Sequence, residues 1–352
     1  MNDLKSIRIS KRDNKSTRIN TSRNHGGREV GHADFARILT ARPISARLPA
    51  AALAKAGRVP HTPVLRVGIF RQPSPRAPHA RSSAPDRLTP MSPERLGQHF
   101  LIGAGWPERV IAAIVHPPGA VWLEIGAGHG EMTTLLAHRA KQLVAIELDP
   151  PLARRLAETT APLANVRVVS GDVLELDLAS LLPLAAAARI HVYGNLPYYI
   201  TSPILHRLFA MAERIASINI VVQMEVAERI VSPPGRRDYG YLSVLAQFHA
   251  RPEIRLRIPP GAFLPPPKVF SALVSMDLPG EGSTLGIADT AAFFEFVKLC
   301  FAQKRKTLWN NLRPSVGEEG TRAALAAAGI QARARAEELS VAQFAALYRA
   351  LP

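Results

Sequence analysis

Val121-Trp122-Leu123-Glu124-Ile125, followed by Gly126-Ala127-Gly128-His129-Gly130-Glu131, is the stretch that decides the fold. A short run rich in apolar and β-branched residues, stopped by three glycines in five positions and continued by the helix-forming Met132 to Ala140, reads as strand, tight loop and helix. Glycines at such a junction let main-chain amides approach a ligand and aim the helix N-terminus at it. Outward from this unit the alternation repeats. Strands are expected over Leu143 to Glu147, Val166 to Val169, Ile190 to Tyr193 and Ile218 to Val222, with helical stretches between them, as in a parallel sheet covered on both faces. Glu253 to Ile258 and Val269 to Met276 have no helix between them and flank a proline-rich loop, so they are expected to form an antiparallel hairpin at the sheet edge. After Pro279-Gly280 the sequence turns alanine-rich, with Phe293, Phe294, Val297 and Phe301 on one helical face and Ser340 as N-cap of the final helix.

The chain has 352 residues, 44 Lys plus Arg against 28 Asp plus Glu, and one cysteine. The formal charge of +16 is unevenly distributed. Residues 1–90 hold 18 basic and 5 acidic side chains, a charge of +13, whereas residues 91–352 hold 26 and 23, a charge of +3. Residues 1–90 also lack helical or strand periodicity. They read first as a basic disordered extension, or as sequence upstream of a true start at Met91, and third as a transit peptide, because no clear amphipathic helix opens the chain. The expected organisation is thus the extension over 1–90, an α/β domain over 91–280 and a small helical domain over 281–352. A lone Cys300 makes no intramolecular disulfide and is most simply a small core residue, and the scattered histidines show no metal-ligand spacing. No metal is expected, and a reducing cytoplasm is the default location. No apolar run approaches the roughly 18 residues of a membrane span.

The glycine loop alone weakly suggests a nicotinamide dinucleotide. That fingerprint, however, needs glycine where Glu131 stands, and a carboxylate there repels pyrophosphate. Glu147 ends the second strand 21 residues after Gly126, where its carboxylate can accept both ribose hydroxyls. Asp172, in Gly171-Asp172 after the third strand, is placed to accept from an adenine amino group. Each acid alone is more often a solvated strand end, but three elements in order at successive strand ends make coincidence improbable. Ribose and adenine without phosphate describe S-adenosylmethionine, whose sulfonium suits a carboxylate-bearing cleft. The fold class is then α/β, a Rossmann-like S-adenosylmethionine-dependent methyltransferase sheet with an antiparallel edge hairpin and a small C-terminal helical domain.

Asn195-Leu196-Pro197-Tyr198-Tyr199 follows the fourth strand. An adenine N6 amine is a poor nucleophile because its lone pair is delocalised into the ring, and two hydrogen-bond acceptors can hold it in line and favour localisation of that pair. The Asn195 side-chain oxygen and the Leu196 carbonyl are the expected acceptors, with Pro197 restricting Leu196 and Tyr198 stacking on the flipped base. In isolation Asn195-Leu196-Pro197-Tyr198 would be a plain turn. Catalysis of this kind is positioning and electrostatics, with no covalent protein intermediate.

With these residues in order, the sequence resembles the ribosomal RNA adenine dimethyltransferases, the family of the bacterial kasugamycin-sensitivity methyltransferase. The resemblance runs from about Leu96 to Leu312. It includes Gly97-Gln98-His99-Phe100-Leu101, the Gly126 loop, Glu147, Gly171-Asp172, Asn195 to Tyr198 and Gln223 to Arg229, then Phe263-Leu264-Pro265-Pro266-Pro267-Lys268-Val269 and Phe301 to Leu308. It implies cofactor contacts from His99, Leu101, Gly126, Glu147, Asp172 and Asn195, and a base clamp by Phe263 opposite Tyr198. The family's first motif usually has Asn at the place of His99, and histidine can still donate or accept one hydrogen bond. The implied reaction is dimethylation of two neighbouring adenines in a hairpin loop near the 3′ end of small-subunit rRNA, within a partly assembled subunit.

Lys304, Arg305 and Lys306, expected on a helix beside Trp309, and Arg236-Arg237, in a Pro/Gly-flanked loop, are candidate RNA phosphate contacts. Each short run alone is as well explained as a solvated face. Lys268 is either a phosphate contact or a loop-capping charge. The rivals are a macrolide-resistance-type methyltransferase of large-subunit rRNA, the mitochondrial transcription-factor branch, and a mainly non-catalytic small-subunit assembly checkpoint.

Overall fold

The computed structural model describes residues 98–103, 105–115, 117–182, 189–197 and 200–352; the expectations for residues 1–90 and for Tyr198 lie outside them. In chain order the elements are β1 (Phe100–Leu101), α1 (Trp106–Ala113), β2 (Ala120–Ile125), α2 (Glu131–Ala137), β3 (Ala140–Glu147), α3 (Pro150–Thr160), β4 (Val166–Ser170) and α4 (Leu178–Leu181). There follow β5 (Ile190–Asn195), α5 (Thr201–Phe209), β6 (Ile215–Gln223), α6 (Met224–Val231), α7 (Tyr241–His249), β7 (Arg251–Ile258), β8 (Phe263–Leu264) and β9 (Ser271–Asp277). The C-terminal helices are α8 (Thr290–Cys300), α9 (Leu308–Val316), α10 (Glu318–Ala327) and α11 (Val341–Arg349).

Seven strands form one sheet in the order β4-β3-β2-β5-β6-β9-β7. The first five are mutually parallel, and β9 pairs antiparallel with both β6 and β7. Successive side chains of a strand point to opposite faces. Accordingly Leu123, Ile125, Val144 and Ile146 enter one apolar core, while Trp122, Leu143, Tyr193 and Val221 enter another with Val110, Ile111, Met132 and Leu136 of α1 and α2. The strand order turns back between β2 and β5. Such a switch point, at the carboxyl ends of the strands, is where an open α/β sheet holds its ligand.

The expected hairpin is present, with β7 as the edge strand. Its Arg251, Glu253, Arg255 and Arg257 are exposed in alternation, which wets one face and discourages edge pairing. The Ser340 cap is present as well: its Oγ accepts from Gln343 N at 3.2 Å, and Gln343 Oε1 accepts from Ser340 N at 2.9 Å.

Two expectations are corrected. Helix α2 stops at Ala137 because the His138 and Arg139 amides close the last turn onto Thr134 and Leu136, and Ala140 already pairs with Ala120 as strand. Lys304 to Lys306 do not lie on a helix. Helix α8 ends at Cys300, whose carbonyl accepts from the Asn311 side chain at 2.7 Å, and residues 301–306 run through turns. Thr307 then takes an extended conformation and caps α9 through Asn310 N.

The helical C-terminal part packs through aromatic rings. Phe248 of α7 lies 5.1 Å from Phe293 and 5.2 Å from Phe294 between ring centroids, and Tyr348 of α11 covers Phe293 and Phe296 at 5.5 and 5.6 Å. Phe296, outside the expected apolar face, is buried because α11 covers that side.

Candidate functional site

Strands β2, β3, β4 and β5 deliver the Gly126 loop, Glu147, Asp172 and Asn195 to the same end of the sheet. A cavity of about 50 Å³ is lined by His99, Gly126, Gly128, Glu147, Asn195 and Pro197, among others. A second, of about 60 Å³, shares Gln98, Gly126, Glu147 and Pro197 with it and runs on to Gly171 and Asp172. Its further walls are apolar, from Ile146, Leu148, Val173, Ile200 and Ile204. Glu147 and Asn195 therefore open onto one shared cavity.

Main-chain geometry builds the loop. Gly128 has φ +57°, and a Cβ there would stand 2.9 Å from the Phe100 ring, so both conformation and space demand glycine. Gly126, at φ +72°, brings its backbone close to the Asn195 carbonyl, 3.5 Å from where a Cβ would be. Glu147 is 1% exposed, and its two oxygens accept from Gly128 N at 2.8 Å and Asp149 N at 2.9 Å. Burial pushes its carboxyl above the usual range, and those amides hold the rise back. One oxygen of Asp172 accepts from Leu174 N at 2.8 Å, which fixes the side chain at the cavity wall.

The acceptor side depends on a contact made across the chain. Asn195 Nδ2 donates to the His99 carbonyl at 2.7 Å. That carbonyl is itself held, because β1 pairs with β8 and His99 Nδ1 meets the Pro265 carbonyl at 2.7 Å. A carbonyl only accepts, so Nδ1 carries the proton. With Nδ2 committed, Oδ1 is the acceptor that Asn195 has left to offer. Leu196 is buried, with its amide bonded to Val221 at 3.1 Å, so its carbonyl is set by the edge of β6.

The remaining candidates fall elsewhere. The side chains of Leu101 and Phe263 are 4% exposed in a common apolar cluster and line neither cavity, while the neighbouring Leu264 is 58% exposed. Lys304 joins the two basic candidates to each other: its Nζ donates to the Arg237 carbonyl and lies 3.8 Å from Glu337. Arg236, Arg237, Arg305 and Lys306 are exposed. Three site features went unassigned in the sequence. Gln98 lines both cavities, and Leu148, exposed yet apolar, closes a flat wall beside Asp172. Glu124 lies 1% exposed on the opposite face of β2. Its Oε2 and the Tyr193 hydroxyl have no hydrogen-bond partner among the described residues, and burial pushes its carboxyl up to about 8, with the Thr133 hydroxyl opposing. An acid inside an apolar strand next to the glycine loop was the available signal.

The donor set tests what this cavity can take. Glu147 and Asp172 face it and neither Lys nor Arg among the described residues lines it, so a polyphosphate would be repelled and a nucleoside carrying a cation favoured. Among the described residues no helix is long and apolar enough to cross a membrane, and no cluster of side chains could hold a metal.

Comparison with known proteins agrees. The sequence is 45% identical over 258 residues to ribosomal RNA small subunit methyltransferase A of Acidobacterium capsulatum, covering 73% of this chain and 90% of that protein. It is 38% identical over 281 residues to the protein of that name from Koribacter versatilis, covering 77% and 98%. Among solved structures, a dimethyladenosine transferase from Plasmodium falciparum superposes with a TM-score of 0.59 at 22% identity, over 71% of this chain and 96% of that one. The 23S rRNA methyltransferase ErmE superposes with a TM-score of 0.55 at 27% identity, over 72% and 99%. The pattern that describes ribosomal RNA adenine dimethylases matches residues 92–351, a span that includes His99, Glu147, Asp172 and Asn195, and the chain belongs to that family.

Proposed function

We propose that this enzyme transfers methyl groups from S-adenosylmethionine to the N6 amines of two adjacent adenosines in the 3′-terminal hairpin loop of small-subunit (16S) rRNA. Its substrate is a partly assembled small subunit, in the cytoplasm. The observation that carries this reading is the pinned Asn195 amide sharing one cavity with the buried Glu147.

The residues fit the donor. Glu147 offers lone pairs to ribose hydroxyls while backbone amides hold it still, and Asp172 with the apolar wall of Leu148 and Val173 suits an adenine. His99 and Gly126 close the cavity near Asn195, and Leu101, whose side chain is buried, contributes through its main chain. When bound, S-adenosylmethionine supplies a sulfonium-borne methyl group that an amine can attack. Each transfer releases one N–H proton to solvent: Asn195 Oδ1 and the Leu196 carbonyl each accept one N–H of the target amine in the first transfer, and one of them accepts the single N–H left in the second. This aims the nitrogen lone pair and stabilises the positive charge that grows on it in the transition state. Pro197 restricts Leu196 to extended conformations, which keeps that carbonyl in place. The neutral carbonyls act through position, and no residue forms a covalent bond to the substrate. Phe263 serves the target base from behind, as part of the buried wall that supports the β1–β8 pair. The exposed Arg236, Arg237, Arg305 and Lys306 are phosphate contacts, with Lys304 bracing the two groups.

The small subunit is favoured over the large one by the higher identity to relatives named for the former, 45% against 27% for ErmE. The test is incubation with unmethylated small subunits and radiolabelled donor, followed by mapping of the label on the RNA. Label on two adjacent adenines near the 3′ end is expected, and label appearing in large-subunit RNA instead would overturn the assignment. Replacing one aimed acceptor, Asn195→Ala, is expected to lower kcat by about 10²–10³-fold while subunit binding persists. Loss of both together would mean that the turn is only structural.

A further inference from the structure

The helical C-terminal part carries a cavity of its own, of about 590 Å³, within the roughly 300–1,000 Å³ typical of small-molecule sites. Its floor is apolar, from Leu325 and Ile330, and one wall is Trp309 at the start of α9. Trp309 is half-buried against the core, which fixes its ring without covering it. The charged side chains that line the cavity are Arg322 and Arg333, and both are exposed. The Arg322 guanidinium lies 5.8 Å from the centroid of the Trp309 ring, near the outer limit of a cation–π contact. The guanidinium stands over the ring at that distance, so a planar group stacks on this face once Arg322 swings aside, which keeps its cation beside the group for a phosphate. Among the described residues Arg322 is otherwise held by Glu318 at 3.1 Å, with both side chains mostly exposed, an arrangement that contributes little and gives way easily. Arg333 donates to Gln331 at 2.9 Å. The exposed Arg305 and Lys306 lead directly into Thr307, which also lines the cavity.

We infer that this cavity is a second RNA subsite, in which an unpaired nucleotide of the rRNA substrate stacks on Trp309 while Arg322 and Arg333 meet its flanking phosphates. A fixed aromatic face bordered by cations is the arrangement that binds single-stranded RNA, since every base has a π-face and the phosphates supply the opposite charge. The charged residues that line the cavity are both cations, which favours a polyanion over a protein partner. The inference rests on the proposal that the substrate is ribosomal RNA, and it is separable from the transfer chemistry because none of these residues lines the donor cavity.

The test is fluorescence titration of the full chain with hexaadenylate at low salt. Of the three tryptophans, Trp122 is fully buried, and comparison with Trp309→Leu isolates the emission of Trp309. Hexaadenylate is expected to quench that component, Trp309→Leu to weaken binding by at least about five-fold, and Trp309→Tyr to restore most of it. Arg322→Gln combined with Arg333→Gln is expected to reduce the slope of log K against log salt by about 1.4, corresponding to two phosphates on a single strand. Equal S-adenosylmethionine affinity in all variants confirms that each is folded. If the wild type methylates small subunits while hexaadenylate neither quenches Trp309 nor loses affinity in Trp309→Leu, the subsite is wrong and the proposed function stands. If Trp309→Leu weakens subunit binding with no change toward hexaadenylate, the cavity takes a ribosomal protein, and the nucleotide assignment is overturned. Absence of methyl transfer by the wild type would instead remove the proposed function.

Discussion

Glu124 keeps in the folded protein a proton that the unfolded chain gives up. Its carboxyl is raised from 4.5 to about 8, chiefly by burial, so between those values the folded state binds one more proton than the unfolded state. Stability contributed by this group is therefore complete below pH 4.5 and falls as pH rises to 8, by about 1.4 kcal/mol per unit at the steepest. Glutamine has the same shape without the charge. Glu124→Gln is expected to raise the urea midpoint at pH 8, to leave it unchanged near pH 4.5, and to flatten the pH profile between them. A variant less stable than wild type at pH 8 would show that the carboxylate is ionised and held by a partner. The same residue marks a limit of sequence reading: its position beside the glycines was visible, but the face of the strand on which it lies was settled only by burial.

At the scale of elements, the parallel strands, the edge hairpin and the last helix cap were legible because each carries a local signature: a β-branched run, a proline-rich loop, a Ser with Gln three residues on. The β1–β8 pair was not, since two-residue strands have no period, and their partners are more than 160 residues apart in sequence. That pair is what fixes His99, and through it Asn195, so the acceptors could be named from the motif while the reason for their orientation could not. The turn at 301–306 was missed for a related reason: basic residues are good helix formers, and the contact that ends the helix comes from Asn311, eleven residues beyond Cys300. A buried polar ladder likewise escaped notice. His191 Nδ1 meets Ser217 Oγ at 2.8 Å, Asn219 Nδ2 donates to Ser217 Oγ at 3.1 Å and to the Val192 carbonyl at 3.3 Å, and Ser275 donates to Asn219 Oδ1 at 2.7 Å. The ladder ties β5, β6 and β9 across the point where the sheet changes from parallel to antiparallel. Asn219→Ala strands the Ser275 hydroxyl in the interior and is expected to cost about 1–3 kcal/mol in urea denaturation. Asn219→Leu with Ser275→Ala removes both partners and is expected to recover part of that loss.

At the scale of the whole molecule, the question is whether the sheet and the C-terminal helices are stable separately. Phe209, His249 and Phe294 form a continuous stack, with centroid distances of 4.6 and 5.4 Å, that runs from α5 through α7 to α8. Phe293, Phe294 and Val297 belong to the same apolar core as Leu123 and Ile146 of the central strands. A core shared in this way is lost as a unit, so the Trp309 emission, which reports on the helices, and S-adenosylmethionine binding, which reports on the sheet, are expected to disappear over one thermal transition. His249 provides a means to move both together. Burial, with the nearby His206 adding to it, lowers its pKa from 6.5 to about 4, so the unfolded chain binds the extra proton and stability falls as pH drops from 6.5 to 4. Over pH 4.5–6.5 this opposes the trend set by Glu124, and of these two trends the Glu124 one continues above 6.5. In the Glu124→Gln background, acidification from pH 6.5 to 4.5 is therefore expected to lower the transition temperature by the same amount for both probes, and adding His249→Phe is expected to remove most of that decrease. Two separate transitions, or an acid effect confined to the Trp309 signal, would show instead that the helices unfold on their own and that the aromatic stack does not couple them to the donor site.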